Sequence, residues 1–432
     1  MNVYDSNRMA DVLAPLGYKP VDTPEDADMI ILNTCHIREK ATDKVFSELG
    51  RLYKQIKRKS RNDGNDRTLM AVAGCVAQAE GDFIMKRAPY VDMVFGPQTY
   101  HELPQMVMKA TGERVINTDM PTESKFDHLP RENDNQGITA FLSIQEGCDK
   151  FCTFCVVPYT RGAEYSRDIK GITEEAKKLV DTGAREITLL GQNVNAYHGK
   201  DARGRTVGLG GLIAALAEID GLERIRYTTS HPRDMDQELI DAHKDIPKLM
   251  PFLHLPIQSG SDRILKAMNR QHTADTYRDI IADVKKARPD IAMSSDFIVG
   301  FPGESDEDFE DTMQIVRDVT YAYAYSFKYS PRPGTPAANM TAQIHDKIKT
   351  ERIMRLQALL NEQQIDFNNK TVGKTLPVLF DRKGVKDGQI HGRTPYNQAI
   401  HVKAPERLFG QVVMTEVTEG NSNSLTGNVA IF

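Results

Sequence analysis

Tryptophan is missing from this chain, no apolar run approaches the length that crosses a bilayer, and neither sign of charge dominates. With 40% hydrophobic and 27% charged residues, the composition is that of an ordinary water-soluble protein and argues against a membrane protein. The opening residues lack the basic, then apolar, then small pattern of a secretory signal, so a cytoplasmic location with reduced thiols is expected. A net charge of −5 excludes a generally basic nucleic-acid binder and leaves room only for focal contacts. Cysteine is scarce as well, with five in 432 residues. An odd number in a chain of this kind excludes a disulfide framework. Three of them crowd between Cys148 and Cys155, an arrangement that costs free energy unless a metal or cluster compensates the thiolates.

The length calls for two or three domains. A helix is expected first, capped by Asp5 or Ser6, with Met9, Val12, Leu13 and Leu16 on one face and Gly17 at its end. Strands follow at Met29 to Leu32, Leu69 to Ala73 and Val91 to Phe95, alternating with helices, one of them from about Ala41 to Lys59. That alternation predicts an open parallel α/β domain over 1–120 without an opening strand. The polar, proline-containing stretch 121–136 suits a linker. Over 137–368 six strands alternate with helices, near Phe141 to Ile144, Ile187 to Leu190, Ile225 to Thr228, Phe252 to Leu255, Met293 to Val299 and Tyr323 to Lys328. Six units are too few for the eight-unit barrel, so a partial (βα)6 barrel is predicted, with its functional end at the carboxyl ends of the strands. A long helix from about His345 to Lys370 leads to 369–432, whose short glycine-split β segments predict a small β-barrel.

Cys148-x3-Cys152-x2-Cys155 lies just past the first barrel strand. Three thiolates on a short loop can hold three irons of a 4Fe-4S cluster and leave the fourth iron open for chemistry. The competing readings are a zinc knuckle or an electron-transfer cluster. A second segment, Asp296-Phe-Ile-Val-Gly-Phe-Pro-Gly-Glu304, ends a barrel strand with Gly300, Pro302, Gly303 and Glu304, glycines that allow a ligand close to the backbone. Gln192 and Asn193 after the second strand, and Gln258 and Ser259 after the fourth, put polar groups on the same rim, where loop capping is their other reading.

The cysteine loop resembles the signature of the radical S-adenosylmethionine (SAM) superfamily. Together with LNTCHIREKA, LLGQNVNAY, TTSHPRDM, FLHLPIQSGSDRIL, DFIVGFPGE and FKYSPRPGTPAA, it is similar over nearly the whole chain to the methylthiotransferases that make 2-methylthio-N(6)-dimethylallyladenosine in tRNA. The resemblance implies a SAM-binding cluster on Cys148, Cys152 and Cys155. It also implies SAM contacts along the rim residues above, a second, auxiliary 4Fe-4S cluster drawing on Cys35 and Cys75, and a terminal TRAM domain that binds RNA. The open iron is then expected to bind SAM, and reduction to yield a 5′-deoxyadenosyl radical that attacks an unactivated aromatic C–H. A flavodoxin or ferredoxin as electron donor, a sulfur donor and a monomeric state are expected with it. Cys35 and Cys75 each follow an apolar strand, where open α/β sheets bind ligands.

Thr371 to Phe432 holds 7 Lys/Arg against 5 Asp/Glu, a local net of +2, and Lys374, Arg382, Lys383, His391, Arg393 and Tyr396 are its expected RNA contacts. Arg51 to Arg61 is a second basic patch. The nearest alternative substrates are threonylcarbamoyl-adenosine in tRNA or a ribosomal-protein aspartate; a non-catalytic iron-sulfur RNA-binding protein or electron carrier is the alternative of another class. Members of the family carry a strand and a Gly-Cys-Gln immediately before the Met-Asn that opens this sequence. The expectation is therefore that translation begins upstream of Met1, and that the chain as written holds an incomplete auxiliary cluster unless His36 replaces the missing thiolate.

Overall fold

A computed structural model describes residues 1–35, 41–63, 68–121, 124–130 and 137–430. The chain forms two compact units. The first comprises Met1–Asp134 with 147–149 and 156–164. Its sheet is parallel, β1 (Met29–Thr34), β2 (Leu69–Gly74), β3 (Met93–Phe95) and β4 (Val115–Asn117) lying side by side in that order. β2 and β3 are buried along their whole length, which is why they read as unbroken apolar runs. β4 has three residues, too few to leave a periodic signal. Helices α1 (Asn2–Leu13), α2 (Ala41–Asp63), α3 (Cys75–Arg87) and α4 (Leu103–Ala110) cover the sheet. Met9, Val12 and Leu13 pack with Met93, Phe95 and Met106 in one apolar layer, and Leu49, Leu52, Val72 and Ile84 form another.

Two details of this unit depart from expectation. α1 starts at Asn2, with no side-chain cap, so Asp5 and Ser6 do not cap it and Leu16 is exposed. Asp5 is instead 2% exposed and accepts a 2.7 Å hydrogen bond from Arg161 Nη2. Burial works to raise its pKa, yet the Arg161 and Lys125 charges outweigh that and hold it below the usual carboxylate value. The stretch 121–136 is only partly linker: 122–123 and 131–136 lie outside the described residues, but Lys125 is buried and donates to Pro97 O at 2.8 Å. Its amphipathic stem lets one basic residue of a polar stretch sink into the unit.

The second unit holds six parallel strands, β5 (Thr139–Ser143), β6 (Glu186–Leu190), β7 (Arg224–Tyr227), β8 (Phe252–His254), β9 (Ala292–Val299) and β10 (Tyr323–Lys328). They form two triplets, β5-β6-β7 and β8-β9-β10, joined by a backbone bridge between Ile225 and Leu249. β5 and β10 are edges, so the barrel is partial. Its surrounding helices are well started: Asp168, Asp236, Ser261, Thr273 and Ser305 each accept an N–H of the first turn. Leu142, Ile187, Ile225, Leu253, Met293 and Tyr321 join the helices' apolar faces in one core.

After a long helix (Asp346–Asn369), β11 (Thr375–Lys383), β12 (Gln389–Arg393), β13 (Ala399–Lys403), β14 (Val412–Gly420) and β15 (Leu425–Val429) close a five-stranded barrel around Val378, Phe380, Ile390, Ile400 and Val417. This barrel is clamped to the strands beneath it. Arg224 donates to Arg393 O (2.8 Å) and Pro377 O (2.6 Å), and Arg226 to Pro395 O and Thr394 O (both 2.9 Å). Glu186, 3% exposed, supplies the counter-charge, 3.0 Å from Arg226 Nε.

Candidate functional site

The three thiols follow β5 on one loop. A short antiparallel pair, Gln145–Glu146 before it with Tyr165–Ser166 after it, closes its base. Gly147 then turns at φ 72°, and a Cβ there would lie 1.9 Å from Ala163 O, so only glycine fits. Cys148 N–H donates to Gly162 O, and Cys155 N–H to Cys152 O. Residues 150–155 are tied to the segment after Asp262–Ala267. Thr153 N–H donates to Met268 O and its hydroxyl to Ala267 O, while Asn269 Nδ2 donates to Lys150 O and Phe151 O. Phe154 packs against Ile264, Met268, Phe301 and Tyr329. Cys152 is buried, Cys148 and Cys155 are half-buried, and none of the five cysteines is in a disulfide among the described residues.

The donor set fits a 4Fe-4S cluster: three thiolates within eight residues of one loop can each take a different iron and leave the fourth open. Gly147→Ala is expected to cost more than the roughly 1–2 kcal/mol of a left-handed L residue, since the clash with Ala163 O adds to it. A drop in urea midpoint together with failed iron uptake would register it, and an unchanged midpoint would show the loop to be less constrained.

The rim residues separate into two kinds. Gln192 and Asn193 are held by their own N–H groups, which donate to Gln145 Oε1 at 2.9 and 3.1 Å. Gln145, fully buried, was not legible in the sequence, although Gly191 marks it: a Cβ there would lie 2.4 Å from the same oxygen. Asn193 Nδ2 donates to Asp234, which also pairs with Lys150 at 2.7 Å. Gln258 adopts φ 79° and its backbone pairs with β9. Ser259, by contrast, bonds Thr312 and the Ser261 N–H, the capping role that was its other reading. Glu304 Oε2 accepts from Gly300 N–H and Arg352, both at 2.7 Å, while Oε1 is buried without a hydrogen-bond partner. Gly300 (φ 69°) and Gly303 (φ 80°) make the turn, and Gly300 also gives way to Lys349, whose Cγ would be 2.3 Å from a Cβ.

Phe151, Thr229, Gln258, Asn269 and Gln271 all have positive φ, although none is glycine, a concentration of strain that accompanies ligand sites. Nearby, Ser230 Oγ, His231 Nε2, Asn193 Oδ1 and Asp296 Oδ1 are buried without a hydrogen-bond partner, a lining suited to a polar ligand. Below the rim a cavity of about 360 Å³ is lined by Phe141, Thr188, Arg226, His254, Tyr325 and Arg393, among others. His254 Nδ1 is 2.9 Å from Ser294 Oγ.

In the first unit Thr34 and Gly74 are register partners, and the next residue along each strand is a cysteine, Cys35 and Cys75. His36 lies outside the described residues. Of the basic residues expected to meet RNA, Lys374, Arg382 and Lys383 are exposed, Lys383 pairing with Glu406 at 2.8 Å. His391 is turned inward, 4% exposed, its Nδ1 2.6 Å from Asp381. Arg393 donates to Asn397 O, and Tyr396 donates to Asp290. In the other patch Arg51 pairs with Glu48. The side chains of residues 58–61 lie outside the description.

Three family models match: the radical SAM superfamily over 142–316, Uncharacterized protein family UPF0004 over 1–96, and the TRAM domain over 369–430. The solved structure of TsrM, a radical SAM methyltransferase from Kitasatospora setae, aligns with a TM-score of 0.57 at 12% identity, covering 90% of this chain and 77% of that one. The cobalamin-dependent radical enzyme OxsB aligns at 0.52 and 13%, covering 82% of this chain and about half, 53%, of its own. These two speak for the fold alone. A tRNA-2-methylthio-N(6)-dimethylallyladenosine synthase from Sphingopyxis alaskensis is 59% identical over 426 residues, 98% of this chain and 94% of the relative. Over nearly its whole length, the chain therefore belongs to the family of tRNA-2-methylthio-N(6)-dimethylallyladenosine synthases, methylthiotransferases of the radical SAM superfamily.

Proposed function

We propose that this chain replaces the C2 hydrogen of N(6)-dimethylallyladenosine, next to the tRNA anticodon, with a methylthio group. The observation that carries this is 59% identity to a named synthase across almost the whole chain, with the three-cysteine loop on the first barrel strand. When bound, a 4Fe-4S cluster with one open iron supplies the electron that cleaves SAM to methionine and a 5′-deoxyadenosyl radical. Cys148, Cys152 and Cys155 would hold it. Gln192, Asn193 and Gln258, with the backbone of 300–303, are the rim groups left to orient SAM once Ser259 and Glu304 are assigned to structure. The aromatic cavity beneath, with Phe141 and Tyr325 as walls, is of a size and polarity to take a planar base. Cys35 and Cys75, each the residue after the register partners Thr34 and Gly74, supply thiolates to a second cluster. Lys374, Arg382 and Lys383 provide phosphate contacts.

A flavodoxin- or ferredoxin-like reductant, a separate sulfur source, a monomer and a cytoplasmic location complete the reading. No described helix is long and apolar enough to cross a membrane. Nucleoside digests of tRNA from a deletion strain should lack the 2-methylthio form and accumulate the unthiolated dimethylallyl nucleoside. Loss of a threonylcarbamoyl derivative instead would reassign the substrate. Cys35→Ala or Cys75→Ala should retain SAM cleavage yet lose sulfur insertion.

A further inference from the structure

Six arginines are buried among the described residues: Arg8, Arg161, Arg224, Arg226, Arg270 and Arg352. Five have a carboxylate within ion-pair distance: Asp11 for Arg8, Asp5 for Arg161, Glu186 for both Arg224 and Arg226, and Glu304 for Arg352. Arg270, 5% exposed, has none among the described residues. A buried charge without a counter-ion is costly, so an anion belongs beside it.

The structure places one candidate in reach. Arg270 Nη1 lies 3.6 Å from Cys152 Sγ, as a donor to that sulfur, while Nη2 donates to Pro256 O and Nε has no partner. The backbone carries it there by force, between Asn269 and Gln271, both at positive φ. The described side chains around it do not compensate the charge. His231 is kept neutral by burial and by Arg270, and His272 is lowered to about 4 by the same two causes. Of the nearby carboxylates, Asp234 is taken by Lys150 and Asn193, Asp262 accepts from Ala274 N–H, and Asp296 lies 3.6 Å from His254 Nε2.

We propose that Arg270 is a tuning residue that raises the reduction potential of the cluster bound through Cys152. This rests on the radical SAM reading. Accepting an electron makes the cluster more negative, and a fixed guanidinium that donates to a ligand sulfur favours that state. One electron passes from the reductant to the cluster; Arg270 keeps its proton, and no bond forms or breaks there.

The test reconstitutes the full chain with iron and sulfide, and titrates it with dithionite and redox mediators without SAM, following the reduced cluster by electron paramagnetic resonance. Arg270→Met should make reduction about tenfold less favourable, about 59 mV lower for one electron. Arg270→Lys, which keeps the charge, should stay near the parent. A parent midpoint in Arg270→Met overturns the proposal. So does Arg270→Lys falling by the full tenfold, which also decides the matter if Arg270→Met does not assemble. Weaker SAM binding with an unmoved midpoint overturns it too, and makes Arg270 a clamp for the SAM carboxylate instead. A parent chain that takes up no cluster would refute the radical SAM reading itself, a different failure.

Discussion

Alanine at Cys148, Cys152 or Cys155 is expected to bring 5′-deoxyadenosine formation down to the level without enzyme. With each thiolate as one of the three proposed protein ligands, losing any one would leave a second iron without a protein ligand and the cluster prone to dissociate. The fold should survive, because the change removes one small atom from a loop otherwise held by Thr153, Phe154 and Asn269. A buried site of that size costs on the order of 1 kcal/mol. The variants should therefore stay folded by circular dichroism, with less iron and no SAM cleavage. Retained 5′-deoxyadenosine production in any one of them would sink the assignment of the site.

Removing residues 371–432 is expected to destabilise the catalytic barrel rather than detach an independent module. The deletion strips Arg224 and Arg226 of all four carbonyl acceptors and opens to water the charged patch that they share with Glu186. It also uncovers the apolar cluster of Phe252, Ala292 and Ala322, against which Tyr396 packs, and apolar surface returned to water is destabilising. The truncated chain should melt well below the parent or aggregate. A truncated protein with the parent's melting temperature and SAM cleavage would show that the clamp carries little energy. RNA binding is better tested at the surface, by changing Lys374, Arg382 and Lys383 to glutamine. Affinity for tRNA should fall, and the slope of log affinity against log salt should flatten by about 0.7–0.9 for each phosphate that is no longer neutralised. An unchanged slope would move the RNA-binding surface to Arg51–Arg61.

Much of this fold was legible because parallel strands buried on both faces leave apolar runs, as at Leu69–Gly74 and Met93–Phe95, and because cysteine spacing is a local signal. What escaped was set by distant partners. Nothing near Arg224 predicts that its hydrogen-bond acceptors lie 153 and 169 residues away. Asp5 looked like a helix cap because caps are recognised by position, and its partner Arg161 is 156 residues on. His391 read as an RNA-binding residue from its composition, yet Asp381, on the neighbouring strand, turns it inward. Glycines were the exception that reported on distance: Gly147 and Gly191 are small because another residue's oxygen occupies the space.

The four carbonyls gripped by Arg224 and Arg226 belong to the backbone, so the grip does not depend on which side chains the small barrel carries on that face. Such a barrel behaves as the fixed jaw of a caliper rather than as a tethered hand. Its outer surface is free to change sequence while its offset from the strands that carry the cysteine loop stays constant. If the proposed phosphate contacts lie on that barrel, a bound RNA would be gauged by length, by how many nucleotides separate those phosphates from the reacting base.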